Sequence, residues 1–314
     1  MSTNHDDAAL PVPIPGGPGR LAGHTVARVG YGAMQLPRLA DADAACAVLR
    51  RALELGVNHF DTAYFYGDGM SNECLAREVV DRPGVVVVTK VGARPARRGP
   101  APLVSAQRPE ELRQGVLDNL RTLHREQLDV VNMRRIGAFG FPKGPDQFVD
   151  FDDQVAEMVA MRDEGLIGAI GLSTVTADEL ARALPAGIAC VQNPYGVASR
   201  KDEPVLAVCR AEGIPWVPYF PLGGAFPGAP KVVKEPVVQE IAAAADTTPA
   251  AVGLAWLLHH APDTLLIPGT ASVAHLEQNV AAGSLELDED ALRRLDELTP
   301  TTGASGALNR FRRG

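Results

Sequence analysis

A phenol, an ammonium and a carboxylate fall at the C-terminal ends of two strand-like segments: Asp61 and Tyr66 lie in HFDTAYFYG, and Lys90 closes VVVVTK. A tyrosine is a good proton donor at neutral pH only when something nearby favours its phenolate. A lysine ammonium does that, and a carboxylate holds the ammonium in place. The three residues are what protonation of a carbonyl oxygen during reduction requires, and they point to oxidoreductase chemistry. Singly, Asp61 can be a strand-end cap and Lys90 a surface charge; their joint placement is the informative feature.

The elements that must position them alternate along the chain. Strand-like runs occur at VVVVTKV (85–91), LDVVNMR (128–134), LIGAIGLS (166–173), IACVQNPY (188–195), PWVPYFPL (215–222) and TLLIPG (264–269). NHFDTA and the weaker VARVGYG bring the count to eight. Helical periodicity fills the gaps. It is clearest where Ala45, Val48, Leu49, Ala52 and Leu53 share a face between Asp41 or Asp43 as N-cap and Gly56 as C-cap. Strands apolar on both faces imply a parallel sheet covered by helices, and an eightfold count favours an α/β fold of the (β/α)8 TIM-barrel type. An open doubly wound sheet is the alternative. No GxGxxG opens a helix, however: GYGAMQ lacks the third glycine and GGPGR lies near the N-terminus, which argues against a Rossmann dinucleotide site. Long Pro- and Gly-rich segments follow the third, fourth and seventh strands (GARPARRGPAPLVSAQ, RIGAFGFPKGPDQF and GGAFPGAPKVVKEP), whereas helix-to-strand returns such as ELGVN are short. That asymmetry predicts long loops on the C-terminal face, where barrel enzymes place their chemistry.

With 314 residues, 46% of them hydrophobic and 22% charged, the chain can bury a sizeable core. Residues 1–20 are expected to form a flexible arm and 21–314 a single catalytic domain with its C-terminal tail. A net charge of -8 argues against nucleic acid or an anionic membrane as partner. The absence of a signal-like or membrane-length apolar run predicts a cytoplasmic protein. Cys46, Cys74, Cys190 and Cys209 lack metal spacing and are expected to be reduced core thiols. His24, His59, His124, His259 and His260 also lack metal-ligand spacing, and no metal is expected. Trp256 is expected in the core. Arg94, Arg97 and Arg98, and the tail residues Arg310, Arg312 and Arg313, can meet an anionic ligand or remain solvated.

FDTAYFYG, the strand-ending TK, GLS, VQN, PYFPLG and IPGTASVAHLEQN occur in an order that resembles the aldo-keto reductases over residues 20–300. LDVVN followed by arginine, with GYGAMQL and FPLGG, resembles a bacterial branch that includes pyridoxal reductases. The resemblance implies a barrel that binds an extended nicotinamide dinucleotide. It makes Tyr66 the general acid, Lys90 the partner that lowers its pKa and Asp61 the carboxylate paired with the lysine. Where a histidine commonly ends the fourth strand, Arg134 stands; it cannot be a neutral imidazole, but it can donate to an incipient alkoxide.

The same resemblance assigns Ser173 and Gln192 to the nicotinamide carboxamide and Tyr219 to the face of its ring. Thr174 takes the place of a frequent asparagine, and Leu222 joins the contacts through the PYFPLG turn. Gly269 and Thr270 then precede a helix N-terminus suited to phosphate, with Gln278 and Asn279 toward adenine. His275 occupies a position that is arginine in many NADP-dependent members. NADPH is the expected cofactor, but histidine is only partly protonated near neutrality, which leaves NADH as an alternative. The expected reaction is reduction of an aldehyde or ketone, with pyridoxal as the leading substrate. Alternatives are a catalytically silent NADPH-binding regulatory subunit and a non-redox barrel using Lys90 as a Schiff-base amine. Oligomeric state is left open.

Overall fold

The computed structural model describes residues 14–39, 41–96, 103–135, 144–224 and 231–299. Its centre is a curled, six-stranded parallel sheet. Two antiparallel hairpins accompany it: β1 (Pro18–Leu21) with β2 (His24–Ala27), and β6 (Ala93–Pro95) with β7 (Leu103–Ser105). The sheet runs, from one edge to the other, β3 (Tyr31–Gly32), β4 (His59–Asp61), β5 (Val86–Val91), β8 (Leu128–Arg134), β9 (Ile167–Ser173) and β10 (Ile188–Gln192). Every strand pair in this sheet is parallel. All six residues of β5, Val-Val-Val-Thr-Lys-Val, are buried, as expected for a strand covered on both faces.

The helices are α1 (Ala42–Glu54), α2 (Met70–Glu78), α3 (Pro109–Leu123), α4 (Phe151–Asp163), α5 (Ala177–Ala183), α6 (Glu203–Glu212), α7 (Pro236–Ala244), α8 (Pro249–His260), α9 (Val273–Ala281) and α10 (Glu289–Asp296). In α1, the Asp41 side chain accepts from Ala44 N, Ala45, Val48, Leu49 and Ala52 are buried, and Gly56 stops the chain at φ 86°. Trp256 is fully buried in α8, and all four cysteines are buried and free. No single helix among the described residues is long and apolar enough to cross a membrane.

Two expected strands take another form. PWVPYFPL and TLLIPG join the sheet only through isolated parallel bridges, Val191 to Trp216, Pro194 to Tyr219, Trp216 to Thr264 and Val29 to Leu266. Pro215, Pro218, Pro221 and Pro268 have no N–H to donate, so a continuous ladder cannot form there. Pro18–Arg20, expected within a flexible arm, pair with Thr25–Ala27, and residues 1–13 lie outside the described residues. The segment after β5, expected as a loop, carries the β6–β7 hairpin; Arg94 lies in it, while Arg97, Arg98 and the arginines of the tail lie outside the described residues.

His59, at the start of β4, is fully enclosed, and neither ring nitrogen has a hydrogen-bond partner. Burial pushes its pKa down to about 4, and the nearby backbone of Ala27 and Leu266 offsets this only in part. The unfolded chain takes up this proton near pH 6.5, the folded one only near 4. Stability therefore falls as pH drops through that window, by about 3 kcal/mol for this group. Urea unfolding of His59→Leu at both ends of the window is expected to show a smaller acid loss than wild type; an identical loss would mean that His59 is not the group responsible.

Candidate active site

Asp61 ends β4 and Lys90 is the penultimate residue of β5; they are 3% and 5% exposed. The Lys90 ammonium donates to Asp61 Oδ1 and, at 3.0 Å, to the Thr62 carbonyl. Burial alone would depress the Lys90 pKa, but the Asp61 carboxylate and the hydrogen-bonded Tyr66 phenol outweigh it and hold the amine above its ordinary value. Lys90 is thus a permanent cation throughout the neutral range. Its Nζ lies 5.3 Å from the centre of the Tyr66 ring. Tyr66 follows β4 in a tight turn fixed by Gly67, whose φ is 65° and where a Cβ would lie 2.7 Å from Pro37. The ring meets Phe65 edge-on at 5.1 Å between centroids. Across the sheet, Gln192 at the end of β10 donates from Nε2 to Asp61 Oδ2 at 2.7 Å, and its Oε1 is buried without a partner.

A second group adjoins the first. The Thr174 N–H donates to the Gln192 carbonyl at 2.9 Å. Its hydroxyl lies 3.4 Å from Ser173 Oγ and 3.0 Å from the Tyr219 hydroxyl. Burial pushes the Tyr219 phenol far up, with the Thr174 hydrogen bond and the Arg134 charge opposing it. Tyr219 therefore stays protonated. Leu222 leans on α8: a Cβ on Gly253 would meet its Cδ2 at 2.8 Å.

The third group is the turn before α9. Tyr31 donates to the Thr270 carbonyl at 2.6 Å, and Thr270 Oγ1 accepts from Ser272 N at 3.0 Å. A Cβ on Gly269 would lie 2.7 Å from the Gly32 carbonyl, so only glycine lets these strand ends approach. Ser272 caps α9; His275 and Gln278 are exposed, and Asn279 is half-buried. Asp61, Tyr66, Lys90, Gln192, Ser173, Thr174 and Tyr219 thus form one connected cluster. Gly269, Thr270, His275, Gln278 and Asn279 form a separate patch.

The aldo/keto reductase family profile matches residues 28–300. The chain belongs to the aldo/keto reductase family. As a member it is an NAD(P)H-dependent oxidoreductase. It is 41% identical over 285 residues to pyridoxine 4-dehydrogenase of Escherichia coli (strain K12), covering 88% of this chain and 96% of the relative. Methylglyoxal reductase YeaE of the same organism is 30% identical, with 84% and 87% coverage. A solved aldo/keto reductase from Klebsiella pneumoniae, in complex with NADP and acetate, superposes with a TM-score of 0.72 at 27% identity, covering 90% of this chain and 95% of its own.

Within this reductase the two arginines that close LDVVNMRR do different work. Arg135 is tied to Glu179 at 3.1 Å, to Gln154 Oε1 at 2.5 Å and to the Val149 carbonyl, and it anchors α4 and α5. Arg134, in register with Ser173, carries its guanidinium 5.8 Å from the Phe65 ring centre. A cavity of about 740 Å³ bounded by Gln107, Phe148, Asn193 and Lys201 lies against Thr174, and neither Tyr66 nor Lys90 lines it.

Sequence reasoning missed the support behind Lys90. Thr62 Oγ1 donates to Asn72 Oδ1 (2.8 Å), Asn72 Nδ2 to Asn119 Oδ1 (2.9 Å) and Thr122 Oγ1 (2.8 Å), and Thr89 Oγ1 to Asn119 Oδ1 (2.6 Å). All five residues are buried, so the network ties the ends of β4 and β5 to α2 and α3. The available signal was position: Asn119 falls on the same helix face as Leu112, Val116, Leu120 and Leu123, all buried.

Thr174 has φ 63°, a left-handed conformation that is costly for a β-branched residue and tolerated by asparagine. Thr174→Asn is expected to stabilise the fold by about 1 kcal/mol in urea unfolding. A loss of stability would show that the bond to Tyr219 outweighs the strain.

Proposed function

We propose that this enzyme reduces an aldehyde or ketone to the alcohol with NADPH, Tyr66 delivering the proton, and that pyridoxal is its substrate. The observation that carries the chemistry is the buried array in which Lys90, held charged by Asp61, adjoins the Tyr66 phenol. An ammonium beside a phenol favours the phenolate, so Tyr66 releases its proton more readily once the carbonyl oxygen gains charge. Arg134, whose guanidinium lies over the Phe65 ring that adjoins Tyr66, supplies a second cation to that oxygen.

The residues present fit a nicotinamide. Nε2 of Gln192 is committed to Asp61, which fixes Oε1 as a buried acceptor needing a donor, and a carboxamide N–H meets that need. Ser173 and Thr174 hold hydroxyls beside it, and Tyr219 offers a flat face. Leu222 closes the ring side, and the Gly269–Thr270 turn with His275, Gln278 and Asn279 would hold the adenosine phosphate end. When bound, the reduced cofactor supplies the hydride. Asp61 and Lys90 keep their charges throughout, and the proton lost by Tyr66 is regained from solvent. We also read the bridged runs 215–219 and 264–267 as the seventh and eighth staves of a closed barrel, since their bridges lead from β10 back to Val29 beside β3. Pyridoxal is favoured by the 41% identity to pyridoxine 4-dehydrogenase.

The test is NADPH oxidation with pyridoxal, aromatic aldehydes and sugar-derived aldehydes, with NADH in parallel. Turnover fastest with pyridoxal and NADPH is expected. Turnover only with other aldehydes would overturn the substrate, and NADPH binding without any turnover would overturn the enzyme.

A further inference from the structure

Gln192 is fully buried and faces two ways: Nε2 donates to the one Asp61 oxygen that Lys90 does not use, and Oε1 has no partner. The amide cannot be turned over, because that would set Oε1 against a carboxylate 2.7 Å away. We propose that Gln192 is a positioning residue that couples occupation of the nicotinamide carboxamide site to the acid group, relaying a hydrogen bond accepted at Oε1 into the one it donates to Asp61. This rests on the cofactor reading above. A chain then runs from the carboxamide through Gln192 and Asp61 to Lys90 and the Tyr66 phenol. Donation into Oε1 polarises the amide and strengthens its Nε2–H bond to Asp61. That bond draws negative charge off Asp61, so the field of the lysine at Tyr66 is less cancelled. The acid is sharpened when cofactor is in place.

Two variants separate this role from that of a plain contact. Gln192→Met keeps the length and removes both polar ends. It is expected to weaken NADPH binding about 5- to 10-fold by fluorescence. At saturating NADPH it should also lower kcat about 10- to 100-fold and move the basic limb of the kcat profile up by about one pH unit, since Asp61 regains its full negative field. Gln192→Glu places a second carboxylate against Asp61, and the pair must share a proton to remain close. Its folding stability should therefore fall as pH rises through an added ionisation that wild type lacks, because the shared proton is held more tightly in the folded state than in the unfolded one. The same added ionisation should appear in kcat. Restoration of Gln192→Glu activity at the acidic side, where the shared proton can donate to Asp61, supports the relay.

If Gln192→Met weakens binding but leaves kcat and its pH profile unchanged, or if Gln192→Glu shows no added ionisation in stability, the proposal is overturned and Gln192 is a contact alone. A wild-type protein that fails to bind NADPH sinks the cofactor reading instead, and the wild-type binding measurement separates that failure from failure of the relay.

Discussion

Tyr66→Phe is expected to lower the rate of carbonyl reduction by about 10²- to 10⁴-fold while leaving NADPH affinity nearly unchanged. The substitution removes one oxygen. The ring keeps its edge-on contact with Phe65, and Lys90 keeps Asp61 and the Thr62 carbonyl as acceptors, so no buried charge is stranded. Stability should accordingly stay close to wild type. The only other phenol in the cluster, Tyr219, cannot substitute as acid: burial holds its proton tightly, and its hydroxyl is committed to Thr174. Single-turnover NADPH oxidation with a reactive aldehyde measures the chemical step without product release. Near-wild-type turnover would remove Tyr66 from the reaction.

The Asp61–Lys90 pairing was legible because it depends on residue types that few other roles demand together. Asp61 and Lys90 stand at strand ends in the sequence, and the fold brings them into direct contact. The strands of the sheet were legible for a similar reason. Parallel strands buried on both faces read as unbroken apolar runs, and LDVVNMR becomes β8 with the same limits. Where Pro interrupts such a run, as in PWVPYFPL, the apolar signal persists but the hydrogen-bond donors are missing, and periodicity cannot register that loss. The β1–β2 hairpin was hidden by its Pro and Gly content. Its turn, Ala22-Gly23, has φ 48° and 85°, as a two-residue hairpin turn requires, and the Ala-Gly pair between strand-like residues was the available clue. Gln192 was read as a contact for the carboxamide, whereas its bond to Asp61 spans 131 positions of sequence and has no local signature.

In the proposed mechanism Arg134 takes the charge-stabilising place that the family resemblance gives to a histidine. It ends β8 beside Ser173, its guanidinium lies over Phe65, and its field reaches the Tyr219 hydroxyl. Phe65 in turn meets the Tyr66 ring edge-on. Arg134→Met keeps the apolar stem against Phe65 and removes only the charge and its donors. The catalytic rate is expected to fall about 10- to 1000-fold, as for loss of a preorganised donor to a developing oxyanion. NADPH binding should barely change. Removing a cation also disfavours negative charge on the Tyr66 oxygen. The basic limb of the pH-rate profile should therefore move upward. Arg134→His should recover part of the loss, because an imidazole still donates a hydrogen bond without a permanent charge. An unchanged rate and profile in Arg134→Met would place the guanidinium outside the reaction and leave the oxygen to Tyr66 and Lys90 alone.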